Sequence, residues 1–264
     1  MSDRKILFFD VDGTLLSEKT KEFPDSARTA LERARVAGHL VFINSGRSWC
    51  NLQETRKLIP VDGFLCGCGT HVVVGDETIY HHQIPHDEGV KMRRDILACG
   101  LDGVLEGADA CYMNRDSRIE RVRHLRETLS QREGVLSPLS WEDESFDFDK
   151  CFLSADESSD PAALFEQMKS MDIIDRGAGD YECVPKGHSK ATAMDLVLKH
   201  YNLPLEAAWV FGDSSNDLAM FEFAQNSVAM GEHSPVLDPY ATFVTKTVEE
   251  DGIAWALEKL GIIE

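Results

Sequence analysis

Residues 5–14 read Lys-Ile-Leu-Phe-Phe-Asp-Val-Asp-Gly-Thr, an apolar run that ends in two aspartates and a glycine. Unbroken apolar character, without polar alternation, belongs to a strand buried on both faces, the kind found inside parallel sheets. Asp12-Gly13 then supplies the turn that ends it. In open α/β sheets ligands bind outside the carboxyl ends of the strands, where Asp10 and Asp12 would converge. A carboxylate there can be a metal ligand, a nucleophile or both. Taken alone, the stretch also fits a plain strand-to-turn junction.

The rest of the chain repeats this opening. A helix with Ala27, Ala30, Leu31 and Ala34 on one face is expected from a cap at Asp25-Ser26 to Gly38. An apolar strand at 40–43 stops at Asn44-Ser45-Gly46, a helical stretch spans 49–58, and a short strand covers 64–66. Strand and helix in alternation predict a Rossmann-like, doubly wound parallel sheet. The rhythm changes after a hairpin around Gly75-Asp76. Helical stretches at 87–99, 117–131 and 161–171 then mix with strand-like pieces at 103–105, 110–113, 149–153, 173–175 and 181–184. Such a mixture predicts an inserted α+β cap domain with its own core. The parallel pattern returns with helix 191–201, strand 209–211, helix 217–223, strand 243–244 and helix 249–260. The expected division is core in 1–82 and 187–264, with the cap in 83–186.

Three further motifs fall where chemistry is expected. Gly212-Asp-Ser-Ser-Asn-Asp217 follows a buried strand and precedes a helix, so its acids would meet Asp10 and Asp12 if the two strands are neighbours. Several carboxylates in one crevice repel each other, and oxygen ligands suit Mg²⁺ better than zinc. The same stretch can also serve as a plain helix cap. Asn44-Ser45-Gly46-Arg47 offers a hydroxyl and loop amides that can hold phosphate oxygens. Lys190 sits at a helix start, where a cation opposes the macrodipole; an anion held between it and a metal would account for it, as would a plain solvated surface lysine.

Charge and cysteine usage narrow the partners. With 46 acidic against 27 basic residues the 264-residue chain carries a formal charge of −19, which disfavours a phosphate backbone as ligand. No apolar run nears the roughly 20 residues needed to cross a bilayer. The amino-terminal stretch has no secretory pattern, so a cytoplasmic location is expected. The seven cysteines contain no C-x-x-C pair and are expected to be reduced. His81, His82 and His86 read as part of an exposed linker rather than a metal site, and the acids around Glu142 as a solvated face.

These motifs, in this order, resemble those of the haloacid dehalogenase superfamily, and the long insert resembles the C2-type cap of its Cof-type sugar-phosphatase branch. The resemblance covers the whole chain and implies an enzyme that hydrolyses small phosphate monoesters, such as sugar phosphates, with Mg²⁺ as cofactor. It makes Asp10 the nucleophile that becomes phospho-aspartate and Asp12 the general acid and base. Ser45, Gly46, Lys190 and Asn216 would hold phosphate. Asp10, Asp213 and the backbone carbonyl of Asp12 would hold the metal, with Asp217 in support. Ser45 stands where the family often has threonine, and Gly67-Cys68-Gly69-Thr70 where many members carry an Asn-Gly-Ala type of turn. The implied partner is a small phosphorylated metabolite, with no nucleic acid, membrane or obligate protein partner. The alternatives are a phosphomutase or phosphotransferase of the same superfamily and a non-catalytic phosphate-binding regulatory protein. Intact acids at Asp10, Asp12 and Asp213 weigh against the last, because binding alone needs neither a nucleophile nor a proton carrier.

Overall fold

The structure, a computed structural model, describes residues 4–264. The chain divides into two compact units. The first comprises residues 1–46, 54–80 and 189–264, and the second residues 47–53 and 81–188.

In the first unit an eight-stranded sheet runs in the order β13-β12-β11-β1-β2-β3-β4-β5. Its strands are β1 (Ile6–Phe9), β2 (Leu40–Asn44), β3 (Gly63–Cys66), β4 (His71–Val74), β5 (Glu77–His81), β11 (Ala208–Gly212), β12 (Asn226–Ala229) and β13 (Phe243–Val244). From β13 through β3 neighbouring strands pair in parallel, and β4 turns back antiparallel on β3. The four residues of β1 are fully buried, as their apolar run demands. Ile6 and Phe8 pack with Ala193, Met194, Val197 and Leu198 of helix α6 (Lys190–Tyr201), while alternation sends Leu7 and Phe9 to the other face. The order of strands reverses at β1, with β2 on one side and β11 on the other. Phe9 lies level with both Ile43 and Phe211, so Asp10, Asn44 and Gly212 end their strands together at this switch point.

Sequence patterning missed some detail here. Strand β12 was not expected, because Asn-Ser-Val-Ala carries too little apolar character to stand out from its surroundings. Helix α1 (Asp25–Val36) buries Ala27, Ala30, Leu31 and Ala34, but Pro24 occupies its N-cap, with no side-chain cap bond. The Ser26 hydroxyl instead donates to Asp251 Oδ1. Helices α2 (Gln53–Leu58), α7 (Leu218–Phe223) and α8 (Gly252–Lys259) complete the unit, the last two shorter than the expected 217–223 and 249–260.

The second unit holds a five-stranded antiparallel sheet, β7-β6-β8-β10-β9, with β6 at Asp102–Glu106, β7 at Cys111–Met113, β8 at Lys150–Ser154, β9 at Met171–Gly177 and β10 at Asp180–Pro185. Leu105, Cys151, Leu153 and Cys183 face one core with Met92 and Ile96 of helix α3 (His86–Ala98) and Leu164 of α5 (Pro161–Gln167). Val104, Cys111 and Met113 meet Ile119 and residues Val122 and Leu129 of α4 (Glu120–Ser130). Residues 47–53 join this unit because Cys50 packs 3.7 Å from Cys111 and Arg132 donates to Asn51. The unit's limits thus differ from the expected 83–186 by that segment and by two residues at each end. All seven cysteines are free thiols. Among the described residues, no helix is long and apolar enough to cross a membrane.

Candidate active site

Asp10 leaves β1 with its amide bonded to Phe211 O and its side chain 5% exposed. The chain then closes a tight loop in which the amides of Thr14, Leu15 and Leu16 all turn back to Val11 O. Gly13 sits in this loop at φ +83°, and a β-carbon there would meet Asp213 Oδ2 at 2.3 Å. Glycine is therefore required twice over, by a left-handed backbone and by the close approach of the acid. Thr14, fully buried, donates its hydroxyl to Asp213 Oδ1 at 2.8 Å. The loop after β1 and the loop after β11 are thereby joined through one carboxylate.

Lys190 occupies the first turn of α6, behind a capping box made by Ser189 and Thr192. Its side chain is 1% exposed, and its ammonium lies 2.6 Å from Asp10 Oδ1 and 2.6 Å from Asp217 Oδ1. Lys190 is therefore not a solvated surface lysine, and its partners in the structure are two aspartates. Both oxygens of Asp217 are engaged within the protein: Oδ1 accepts from Lys190, and Oδ2 from the amides of Asp213 and Ser214 at 2.9 Å each. Asp10, Asp213 and Asp217 each place a carboxylate oxygen within 4.8 Å of the others.

Burial, together with the crowding of three carboxylates near one ammonium, shifts the titration of the site. Burial is the largest influence on Asp10 and pushes it up to about 7, with Lys190 opposing and Asp217 and Asp12 adding repulsion. Burial, then Asp10 and Asp217, push Asp213 up to about 8 against the pull of the Thr14 bond and Lys190. Burial disfavours the Lys190 ammonium, but Asp10 and Asp217 outweigh it and hold the group above its ordinary value.

The remaining expected residues gather less closely. Asp12 follows Asp10 in the loop and acts on it through charge, but its carboxylate is not among the three that converge. Ser45 is 1% exposed at the end of β2, its amide donating to Leu65 O and its carbonyl accepting from the Cys68 amide. The Ser45 amide is therefore already engaged within the protein. Cys68 adopts the left-handed region at φ 54°, between Gly67 and Gly69, an unusual setting for a cysteine. Asn216 accepts from the Ser214 hydroxyl at 2.7 Å. In the second unit His81 pairs with Asp149 and His86 with Asp147, while His82 lies against His188. Sequence reasoning gave no role to Thr14 or to the Asn44 side chain. Both stand inside motifs already singled out, Thr14 at the end of the first and Asn44 at the start of Asn44-Ser45-Gly46-Arg47, but neither side chain was read for a distant partner.

Fold and site define a doubly wound α/β hydrolase working at a charged centre. The model of a family described as haloacid dehalogenase-like hydrolase matches residues 7–257, and the chain belongs to that family. It is a phosphatase of the Cof-type branch. The chain is 29% identical over 265 residues to YkrA of Bacillus subtilis strain 168, covering 99% of this chain and 100% of that one. It is 27% identical over 277 residues to YitU of the same organism, named a 5-amino-6-(5-phospho-D-ribitylamino)uracil phosphatase, with 96% of each covered. Among solved structures, the subclass IIB sugar phosphatase BT4131 superposes with a TM-score of 0.83 at 28% identity, covering 98% of this chain and 100% of that chain.

Proposed function

We propose that this phosphatase hydrolyses small phosphate monoesters, sugar or polyol phosphates among them, through a phospho-aspartyl intermediate on Asp10 with Mg²⁺ as cofactor. The observation that carries this reading is the fully buried Lys190 ammonium held between Asp10 and Asp217 at the sheet's switch point. An ammonium has three protons, and these two bonds leave one for a phosphate oxygen. They also fix the Asp10 carboxylate for in-line attack, which is most of what phosphoryl transfer asks of a protein.

The donor set fits Mg²⁺. Asp10 and Asp213 are hard oxygen donors, and Gly13 is the one residue type that admits Asp213 so close to the loop. Burial first, and then repulsion from the neighbouring carboxylates, raises both groups above their ordinary value, and a cation bound between them would relieve that repulsion. Asp10, Asp213 and the Asp12 carbonyl would hold the ion, which when bound would lend positive charge to the carboxylates and the phosphate oxygens. The chain's own residues do the rest. Asp10 attacks phosphorus, and Asp12 gives a proton to the departing alkoxide. Asp12 then takes one from the water that cleaves the acyl phosphate. The Ser45 hydroxyl and the Gly46 amide would bind the transferring oxygens, and Asn216 would support them.

The relatives' names support the substrate class: one acts on a phosphorylated ribityl compound and one structural neighbour is a sugar phosphatase. Phosphate release from a panel of sugar, polyol and aryl phosphates, with Mg²⁺ and with chelator, tests this. Release that requires Mg²⁺ and is abolished in Asp10→Asn is expected. Equal turnover in chelator, or by Asp10→Asn, would remove the basis of the reading.

A further inference from the structure

Asn44 is the last residue of β2, the neighbour of Ser45, and its side chain is fully buried. The four residues before it, Leu40 to Ile43, are apolar. An amide at the end of such a strand has to be paired, and this one is half paired. Its Nδ2 donates to the main-chain oxygen of Lys190 at 3.0 Å and approaches Met220 Sδ at 3.8 Å. Both neighbours only accept, so the amino group must face them. The carbonyl Oδ1 is left on the other side, buried and without a partner among the described residues.

Packing alone would not select this residue. Leucine has nearly the same shape and would leave no stranded acceptor. What leucine lacks is the donor to Lys190. That bond joins residues 146 apart in the chain and ties the strand that presents Ser45 to the helical turn that presents the Lys190 ammonium. Met220, beside the same amino group, belongs to α7, the helix that directly follows Asp217. One side chain therefore sits next to Ser45 in the chain, bonds the main chain of Lys190 and touches the helix that follows Asp217.

We infer that Asn44 is a positioning residue, which sets the Lys190 ammonium between Asp10 and Asp217 by fixing the first turn of α6 from the end of β2. This rests on the phosphatase reading above for its kinetic consequence. Groups at a reacting centre must be held to within about 0.5 Å, and a misplacement of about 1 Å costs up to about 100-fold in rate.

The test is Asn44→Leu, with Asn44→Ala as a second variant should the first not fold. Against para-nitrophenyl phosphate and Mg²⁺, kcat should fall about 10- to 100-fold with a smaller change in KM. The unfolding temperature of Asn44→Leu should stay level or rise, since the stranded oxygen is gone. A merely structural asparagine would do the reverse, lowering the unfolding temperature and leaving kcat per folded molecule unchanged, and that result would overturn the inference. If the unaltered protein itself releases no phosphate, the phosphatase reading fails separately. The crystal structure of Asn44→Leu then decides: an ammonium displaced from the two carboxylates supports the positioning role, and one still bonded to both refutes it.

Discussion

The Lys190 ammonium and the Asp10 carboxylate, 180 residues apart in the chain, meet at 2.6 Å with both side chains almost wholly buried. Desolvating a charge pair is costly, and the pair is kept because each partner satisfies the other. Asp217 shares the same ammonium. Removing the cation alone should therefore be far worse than its small volume implies. Lys190→Met is expected to lose about 3–5 kcal/mol of stability at pH 8, above the value of about 7 to which Asp10 is raised. Part of the loss should return near pH 5, where protonation removes the charge of Asp10. Urea unfolding at the two pH values measures it, and an equal loss at both would show that the ion pair is not the cause.

Asp213 predicts how the metal-free protein responds to pH. Its folded pKa of about 8 lies above the ordinary 3.8, so between these values the folded state holds more protons than the unfolded state. Stability from this group is complete below about 3.8 and is lost as pH rises through about 8. Asp10, raised to about 7, works in the same direction. In chelator, Asp213→Asn should therefore gain stability relative to the unaltered protein as pH rises from 5 to 9. Mg²⁺ should restore the unaltered protein at the upper end and leave the variant unmoved. A difference independent of pH would contradict the placement of Asp213 among mutually repelling acids.

Gly13 offers a test that touches no charge. A methyl group at this position would collide with the Asp213 carboxylate and would also strain the left-handed backbone. Gly13→Ala should weaken Mg²⁺ binding about 10- to 100-fold, the usual cost of disturbing the support of a metal ligand. Isothermal titration with the metal alone reads this directly. Unchanged affinity would mean that Asp213 is not a ligand.

Much of this architecture could be read from the chain because its strands are unbroken apolar runs that stop at acids. Residues 5–14 alone place Asp10 at a strand end, and a lysine at a helix start is one that a nearby anion would account for. Contacts between distant residues carried no such signal. Thr14 meets Asp213 across 199 positions, and Asn44 meets Lys190 across 146. Neither pair has a local pattern to mark it. Segment 47–53 likewise looks like the start of a core helix, and its grouping with the second unit depends on Cys50 and Asn51 finding Cys111 and Arg132. The N-cap of α1 was misread for a related reason, since Ser26 has a distant acceptor in Asp251 that outcompetes the local cap.

The proposed division of labour between the two acids of the first loop can be tested in a single trapping experiment. Asp12→Asn is incubated with an aryl phosphate and Mg²⁺, quenched in acid, and the peptide containing residue 10 is weighed. An aryl leaving group needs no proton, so Asp10 should still be phosphorylated. Cleavage of the acyl phosphate should slow by about 10²–10⁴-fold without its base. The expected result is a mass increase of one phosphoryl group on Asp10, absent from Asp10→Asn treated alike. A phosphoryl group found on any other residue, or equal labelling of Asp10→Asn, would show that Asp10 is not the nucleophile.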